Sequence, residues 1–373
     1  MAEKTNMYYI FHGRFPSEKA AAIYTHKNVE SFVNEGIGVT VIVPRRIGRE
    51  PKKAVPYRVL YLPTIDLFFL PIQKAAFLIS YTVFSIMTAV YILICVPRDS
   101  LIVSNEALPL ILIVRFFRKT MYEIHDFPER NFWMYRYLFR RVRWILVTNA
   151  WKKRELAERF FVDGEKSFIE PNGVDLSFFN ININKNNARK RLGLPEDGRI
   201  AVYTGHLYGW KGVDTLARAA GYLSEVDVYF IGGTKSDVLR FKRKYGHQNN
   251  IYIVGHKSHG EIPLWQKAAD ILILPNTAKK DISKYYTSPM KLFEYMASGT
   301  PIVASDIPSI REIVDDASAT FFTPDDPADL KEKIQATLAD TKCAQEKAVN
   351  AYKTAREHDW NARAKRIISH ITV

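Results

Sequence analysis

The chain has 373 residues, which is more than one hydrophobic core usually supports, so two α/β domains are expected. Apolar residues make up 47% and charged residues 25%, a globular composition that excludes a disordered chain. The net charge of +14 indicates an anionic partner: nucleic acid, a membrane surface or a phosphorylated small molecule. The only cysteines, Cys95 and Cys343, exclude a disulfide-rich scaffold and fit a reducing cytoplasm.

Short β-branched and aromatic runs alternate with helical patterns in the N-terminal half. The chain starts without the pattern of a signal peptide and runs into a first strand at 7–10, followed by a helix over 19–34. Further buried strands are predicted at 38–43, 101–103, 121–124 and 144–147. This alternation predicts a doubly wound parallel sheet that binds ligands at the carboxyl ends of its strands.

One stretch of the N-terminal half is apolar enough to raise the question of a membrane span. Residues 75–97 carry no charge and are bracketed by Lys74 and Arg98, and their number meets the transmembrane threshold. Serine, threonine and tyrosine residues interrupt the stretch. Two interpretations therefore stay open: a domain helix that is buried or faces a membrane, which the polar residues favour, and a true span.

A second strand series follows in the C-terminal half. Its members are predicted at 200–203, 228–231, 251–254, 271–274 and 302–304. A turn cluster at 170–175 and the polar segment 180–187 are interpreted as the linker. We therefore predict an N-terminal domain at 1–170 and a C-terminal domain at 171–354. A basic helix at about 355–373, with Trp360 and Ile367 at core-like spacing, is expected to pack back on the N-terminal domain.

The most informative segment is a short helix near the end of the second series. Ser288 suits an N-cap, Pro289 the first helical position and Gly299 the residue past the helix end. Lys291 lies in the first turn, where the macrodipole disfavours a cation unless an anion is bound, so the pattern indicates a phosphate site. Glu294, among apolar neighbours, is either a solvated carboxylate or a partner for ligand hydroxyls.

A second candidate for anion binding is the glycine-punctuated loop at 204–212. It follows a predicted strand, and it contains Lys211 as a fixed positive charge. The loop lacks the ending of a Walker motif, so a simple glycine-rich connector remains the alternative. The strand-end turn at Gly255-His256 is a weaker signal of the same kind.

Candidate residues of the N-terminal half also follow strands. His125 comes directly after the strand at 121–124, where a general base or a substrate-positioning group is expected, although a structural histidine is the alternative. Gly13 lies in the loop after the first strand. The segment 115–143 is basic and aromatic, which indicates either an anionic membrane or lipid-phosphate acceptor, or a solvated helix with an aromatic stripe facing the core.

These motifs together resemble a known family. Residues 288–305 resemble the donor-binding signature of the retaining glycosyltransferases of family four (group 1), and the segments 16–40, 171–175 and 205–212 are similar in order and spacing. The likeness covers nearly the whole chain. It implies the GT-B fold: α/β architecture with two Rossmann-like, doubly wound parallel-sheet domains and a cleft between them.

The resemblance also implies a donor and a site. The donor is a UDP- or GDP-sugar, with Lys211, Lys291 and the amides at Pro289 at its diphosphate and Glu294 at its ribose; no cofactor or divalent metal is expected. His125 matches a histidine that contacts the donor sugar or the acceptor hydroxyl. The implied donor-binding positions are Gly13, Gly205, His206, Lys211, His256, Tyr286, Ser288, Pro289, Lys291, Leu292 and Glu294, and the catalytic ones are His125, Lys211 and Glu294.

Two positions depart from the family pattern. The first member of the family's acidic pair is replaced by Tyr286, and His206 stands near a position that often carries arginine. We expect metal-independent hexose transfer, with retention, to a membrane-lipid or glycan acceptor at the cytoplasmic face of a membrane, and no nucleic-acid partner. A sugar-nucleotide epimerase of the same fold and a non-catalytic member that binds nucleotide sugar or glycan are the alternatives.

Overall fold

The computed structural model describes residues 6–17, 19–45, 55–65, 73–130 and 132–371. The chain forms two compact units: Met1–Pro171 together with Trp360–Val373, and Asn172–Asp359. Each unit is built on its own parallel sheet. The two units are therefore described separately.

The N-terminal unit contains a seven-stranded sheet of order β3-β2-β1-β4-β5-β6-β7, with every pairing parallel. The strands are β1 (Asn6–Ile10), β2 (Gly38–Pro44), β3 (Arg58–Leu62), β4 (Leu101–Ser104), β5 (Thr120–Ile124), β6 (Trp144–Val147) and β7 (Ser167–Ile169). The helices are α1 (Ala20–Asn34), α2 (Gln73–Cys95), α3 (Ala107–Ile113), α4 (Phe132–Arg141) and α5 (Ala150–Phe160). β4 and β5 are buried along their whole length, as expected of strands covered on both faces.

The second unit contains a six-stranded parallel sheet of order β10-β9-β8-β11-β12-β13. Its strands are β8 (Arg199–Thr204), β9 (Val226–Ile231), β10 (Ile251–Gly255), β11 (Ile271–Leu274), β12 (Ile302–Ser305) and β13 (Thr320–Phe322). Its helices are α6 (Leu176–Phe179), α7 (Lys185–Leu192), α8 (Val213–Ala220), α9 (Lys235–Tyr245), α10 (Ile262–Ala268), α11 (Met290–Ser298), α12 (Pro308–Arg311), α13 (Pro327–Ala339) and α14 (Thr341–Glu357). The predicted doubly wound sheets are confirmed in both units.

The polar segment interpreted as part of the linker is structured within the second unit. Its last residues begin α7, and Asn184 caps this helix by accepting a hydrogen bond from the N–H of Asn187. Arg189 is buried and donates to Asp270 at 2.7 Å and to the carbonyl of Ala268 at 3.0 Å. The linker interpretation of 180–187 was therefore wrong, because a buried cation with fixed partners anchors the helix that follows.

The predicted C-terminal helix is two helices. α14 ends at Glu357, His358 donates its N–H to the carbonyl of Ala355, and α15 (Trp360–Ile371) begins two residues later. α15 packs on α1 and places Trp360 and Ile367 in buried positions, as their spacing predicted. The break allows α14 to lie in one unit and α15 in the other.

A buried ion pair fixes α15 in the N-terminal unit. The guanidinium of Arg363 donates to the carboxylate of Glu123 at 2.9 Å, to Asn28 Oδ1 at 2.6 Å and to the hydroxyl of Tyr24 at 2.8 Å. Arg363 is 1% exposed and Glu123 is 0% exposed. The hydroxyl of Tyr9 donates to the same carboxylate at 2.8 Å. Both charges are thus paired and hydrogen-bonded, which is the condition under which buried charges are tolerated.

The apolar stretch at 75–97 forms most of α2. α2 connects β3 to β4 of one sheet and packs on α3, and its Phe84 and Ile92 are fully buried. Among the described residues it is the one helix long and apolar enough to cross a bilayer, but a third of its most apolar window is buried in the protein. The stretch is therefore a helix of the N-terminal unit that is partly buried in it.

Candidate functional site

The candidate site of the second unit lies where the order of its sheet reverses. β8 and β11 are neighbours, and the chain leaves them in opposite directions, which opens a crevice at their carboxyl ends. The loops that follow the two strands touch: a Cβ on Gly212 would lie 1.5 Å from the carbonyl oxygen of Pro275. Gly212 also has φ +72°, so only glycine fits this contact.

Lys211 stands on the first of these loops. It ends the single 3-10 turn Gly209–Lys211, and its Nζ lies 3.8 Å from the centroid of the Trp210 ring. Burial lowers the pKa of Lys211 to about 8. The sequence-predicted cation is thus held at the carboxyl end of β8.

Lys291 projects from the opposite side of the crevice, on α11. Its Nζ is enclosed and has no hydrogen-bond acceptor among the described residues, and it lies 4.0 Å from the centroid of the Tyr203 ring. A Cβ on Gly205 would come within 2.9 Å of this Nζ, so the backbone after β8 approaches the ammonium closely. Burial, and then the nearby charge of Lys211, hold the pKa of Lys291 well below its ordinary value. A buried ammonium without an acceptor is costly, and an anion would relieve that cost.

The start of α11 differs from the sequence prediction. Pro289 is the N-cap and Met290 the first helical residue, so the helix begins one residue later than predicted. Ser288 does not cap the helix, because its hydroxyl accepts the N–H of Asn172 at 3.2 Å and its carbonyl accepts Nδ2 of Asn172 at 2.6 Å. No side chain caps α11, so its first-turn N–H groups are not satisfied in that way.

Glu294 lies one turn after Lys291 on α11. Its side chain is half-buried, and burial raises its pKa to about 7, although the charge of Lys291 acts in the opposite direction. A freely solvated carboxylate does not experience this effect, so the environment favours the ligand-binding interpretation of Glu294. Leu292 of the same turn is fully buried in the core, and its N–H donates to the carbonyl of Pro289 at 2.9 Å.

The structure brings four of the predicted donor-binding residues together. Gly205, Lys211, Lys291 and Glu294 form one cluster at the end of β8 and the start of α11. His206 is exposed and stacks on the ring of Tyr208 at 4.8 Å. Of the other predicted residues, His256 is exposed after β10, Tyr286 ends the π-helical turn Ile282–Tyr286, and Gly13 belongs to the N-terminal unit.

Sequence reasoning missed Asn276, which follows β11 in the same crevice. Asn276 is 0% exposed, and both atoms of its amide lack a hydrogen-bond partner within the described part of the chain. Buried amides are normally satisfied, so these atoms are available to a ligand or an ordered water. The signal was present in the sequence, since a polar residue follows the apolar run of β11 directly after Pro275.

His125 lies at the carboxyl edge of the sheet in the N-terminal unit. It follows β5, its Nε2 lies 3.7 Å from Oε2 of Glu123, and its ring contacts that of Tyr24 at 4.5 Å. Burial alone would raise the pKa of Glu123, yet His125 and Arg363 hold it well below its ordinary value. An anionic carboxylate of Glu123 therefore lies next to the imidazole of His125.

A buried lysine, also missed, supports the backbone at His125. Nζ of Lys152 donates to the carbonyl of His125 at 2.6 Å, to the carbonyl of Ile124 at 3.1 Å and to Oγ1 of Thr148 at 2.8 Å. Burial lowers the pKa of Lys152 to about 7. Since all three acceptors are neutral, Lys152 fixes the end of β5 without a neutralising carboxylate in hydrogen-bond contact.

Glu106 is a further carboxylate at this sheet edge. It follows β4, next to β1 in the sheet, and its Oε1 accepts the N–H of His12 at 3.3 Å. Burial raises the pKa of Glu106. Gly13 lies beside this contact, where the ring of Phe11 occupies the space of a side chain. The position of Glu106 at the reversal point of the first sheet could have identified it from sequence.

The described residues also bear on metal binding. Within the ranges that the structure describes, no group of three or more histidine, cysteine, aspartate or glutamate residues is arranged to hold a metal ion. The cations of the candidate site are instead the two lysines. Metal independence stays a prediction from the family resemblance.

Comparison with solved structures defines the class. Sucrose-phosphate synthase from Thermosynechococcus elongatus superposes with a TM-score of 0.81 at 18% identity, over 98% of each chain. Anabaena HepE in complex with UDP and glucose superposes with a TM-score of 0.75 at 16% identity, over 98% of this chain and 99% of that one. The protein has the GT-B fold, with two Rossmann-like parallel-sheet units.

Comparison of sequences then relates part of the chain to a family. Residues 184–358, just under half of the chain, match the model of the glycosyl transferases group 1 family. The D-inositol 3-phosphate glycosyltransferase of Thermomonospora curvata is 24% identical over 249 residues, which cover 61% of this chain and 56% of the relative. This match thus spans little more than half of that curated relative. Residues 184–358, which match the family model, include Lys211, Lys291 and Glu294.

Proposed function

We propose that this protein is a glycosyltransferase that takes a hexose from a UDP- or GDP-sugar and transfers it, with retained anomeric configuration and without a metal ion, to a lipid-linked or glycan acceptor. The observation that carries the proposal is the enclosed ammonium of Lys291, which has no hydrogen-bond acceptor in the described part of the chain and lies beside the backbone of Gly205. A diphosphate supplies the missing acceptors and the missing negative charge.

The positive charges that bind the diphosphate are also required during the reaction. When the bond from the sugar to the diphosphate breaks, negative charge develops on the leaving phosphate. Lys211, Lys291 and the first amides of α11 would stabilise that charge. A structural neighbour with the same fold was solved in complex with UDP and glucose, and this supports the proposal of a nucleotide-sugar donor.

A comparison of ligands separates the roles of the site residues. Glu294→Gln is expected to weaken UDP or GDP binding about tenfold, because a charged hydrogen bond to the ribose is lost, and to leave inorganic pyrophosphate binding unchanged. Lys211→Met is expected to weaken both ligands. Isothermal titration calorimetry measures the affinities, with Lys342→Met, at an exposed position of α14, as the control. Loss of pyrophosphate affinity in Glu294→Gln would contradict its placement at the ribose.

His125 provides a test of turnover that is independent of nucleotide binding. We expect His125→Ala to lower kcat about 100-fold or more, since a positioned acid, base or hydrogen-bond donor contributes about that factor. Its UDP affinity should match wild type, because His125 belongs to the N-terminal unit. The measurement is hexose transfer from labelled donors beside UDP titration. Full turnover in His125→Ala would leave the histidine with a structural role.

The acceptor is proposed from charge and surface. A net charge of +14 suits an anionic membrane, and we place the protein at the cytoplasmic face, where a lipid-linked acceptor is presented. The donor can be identified by measuring Tm in the presence of different UDP- and GDP-sugars. A ligand that binds only the native state raises stability in proportion to the logarithm of its concentration relative to Kd, so the donor that binds most tightly gives the largest increase.

A further inference from the structure

The longest helix of the N-terminal unit exposes a continuous apolar face. Leu78, Ile79, Ile86, Val90 and Ile94 of α2 are 61%, 42%, 49%, 45% and 78% exposed. The last four follow one another at spacings of seven, four and four residues, which places them on one side of a helix. We call these five residues the apolar face of α2. Soluble proteins rarely leave so many large aliphatic side chains together in water, and such patches mark interaction sites.

The opposite side of α2 is packed against the rest of the unit. Phe84, Thr88 and Ile92 are fully buried. The hydroxyl of Tyr81 accepts the N–H of Leu108 at 3.2 Å, which ties α2 to the start of α3. The apolar face is therefore presented by a rigid helix whose other side is packed and hydrogen-bonded.

The apolar surface continues onto the next helix. Leu112 of α3 and Phe116, just after it, are 39% and 55% exposed, and α3 packs against α2. Trp133 of α4 is 77% exposed, and α4 packs against α3. Three consecutive helices of the unit thus each contribute exposed apolar side chains.

Positive charge lies at the end of this surface. Arg98, Arg115, Arg118 and Lys119 are exposed, and in the part of the chain that the structure describes none of them pairs with a carboxylate. The guanidinium of Arg98 lies 4.9 Å from the ring centroid of Phe117 and 5.9 Å from that of Phe116, and it donates to the carbonyl of Leu93 at 3.3 Å. We call the four cations the basic end. The Arg98 contacts join it directly to the apolar surface.

From this arrangement we infer that the apolar face of α2 and the basic end form a docking surface for a bilayer containing anionic lipids. The aliphatic side chains enter the boundary of the acyl chains, and the cations contact the lipid phosphates. The inference deepens the proposed function and rests on it, because a lipid-linked acceptor is the reason for the protein to bind a membrane. It specifies that α2 lies along the surface of the bilayer and does not cross it.

The composition of the surface favours lipid over protein. The five side chains of the apolar face are all aliphatic, and they supply no hydrogen-bonding groups of the kind that fix the register of a protein partner. The four unpaired cations of the basic end lie beside the apolar surface, and this combination of apolar and basic residues is typical of helices that rest in a charged interface. A second copy of the chain would bring like charge against like charge at the basic end.

Vesicle sedimentation tests the inference with the full chain. Wild type is expected to bind phosphatidylcholine vesicles containing about 30% phosphatidylglycerol, and to bind pure phosphatidylcholine much more weakly. Ile86→Glu/Val90→Glu is expected to lower the partition coefficient at least tenfold, because two charges enter the apolar face. Leu239→Glu, at a 56% exposed position on α9 of the second unit, is the matched control.

The basic end is tested separately. Arg115→Gln/Arg118→Gln/Lys119→Gln should weaken binding to the anionic vesicles about 100-fold, as three cations are removed, and should reduce its salt dependence. The control is Lys242→Gln/Arg243→Gln/Lys342→Gln, which removes three exposed cations of the second unit.

The outcomes separate this inference from the proposed function. Unchanged vesicle binding in Ile86→Glu/Val90→Glu would overturn it, and so would equal binding of wild type to neutral and anionic vesicles. A dimer seen by sedimentation velocity, dissociated by the same substitutions while vesicle binding persists, would assign the surface to a second copy. UDP affinity is measured in every variant: wild type without UDP binding contradicts the proposed function, whatever the vesicles show.

Discussion

Replacing Lys291 with methionine is expected to weaken UDP or GDP binding roughly 100-fold and, at the same time, to raise the stability of the ligand-free protein. Binding falls because a charge-assisted hydrogen bond to the diphosphate is worth about 1.5–3 kcal/mol. Stability rises because the ligand-free protein holds an enclosed ammonium without an acceptor, beside a second lysine. Methionine keeps the length of the side chain and removes the charge. The gain is on the order of 1 kcal/mol, which is the usual cost of a buried polar group without a hydrogen-bond partner.

The pH dependence of this gain has a defined direction. The pKa of Lys291 in the folded protein lies well below its usual 10.5, so between the two values the unfolded chain binds more protons. The free energy of unfolding of wild type therefore rises with pH in that window, and the advantage of Lys291→Met shrinks as pH approaches 10.5. Glu294, with a pKa raised to about 7, has the opposite effect at lower pH, between about 4.5 and 7. Lys211 and Lys152 also have lowered pKa values, so the difference between wild type and Lys291→Met, and not the slope of wild type alone, reports on Lys291.

Thermal unfolding with and without UDP measures both effects of Lys291→Met. Lys342→Met, on the exposed side of α14, should leave both stability and affinity unchanged. A variant that loses stability but keeps its nucleotide affinity would mean that Lys291 is a structural cation. The placement of the diphosphate at α11 would then be wrong.

The second large effect concerns the buried ion pair of the N-terminal unit. Arg363→Met is expected to destabilise this unit by about 3–5 kcal/mol, because it leaves Glu123 charged and without its guanidinium partner in a fully buried site. The loss corresponds to about 10 °C in Tm for a unit of this size. Arg154→Met, which breaks a surface pair with Glu158, should cost no more than about 1 kcal/mol.

A double substitution distinguishes charge from packing. Adding Glu123→Gln to Arg363→Met removes the uncompensated charge and should restore part of the lost stability. Calorimetry gives the total loss, and hydrogen exchange at β5 and α15 assigns it to this unit. If the double variant is no more stable than Arg363→Met, the cost arises from lost packing of the long side chain.

His125 links this ion pair to the proposed chemistry. Glu123 contacts His125 from behind at 3.7 Å, and Tyr24 contacts both residues. The C-terminal helix therefore contributes, through Arg363 and Glu123, to the charge around a candidate catalytic residue about 240 positions earlier in the chain. Nothing in the local sequence of α15 indicates this contact.

By itself, the sequence determined the parallel α/β architecture and the cations of the candidate site. Strands buried on both faces are mostly apolar, so β4, β5, β8 and β11 are visible as short runs, and their carboxyl ends identify where ligands bind. Lys211, Lys291 and Glu294 follow from local signals: a glycine-rich loop, a cation at a helix start and an acid in an apolar helix. Short or partly exposed strands such as β3 and β7 carry too weak a pattern to be predicted.

Only the tertiary structure decided which polar groups have partners. The hydroxyl of Ser288 binds Asn172 because the chain returns to it from more than a hundred residues away, and the expected cap is lost for that reason. The same applies to Lys152 under His125 and to the unpartnered amide of Asn276. Hydrogen bonds between distant segments depend on where the folded chain brings them together, and a local sequence pattern carries no information about that distance.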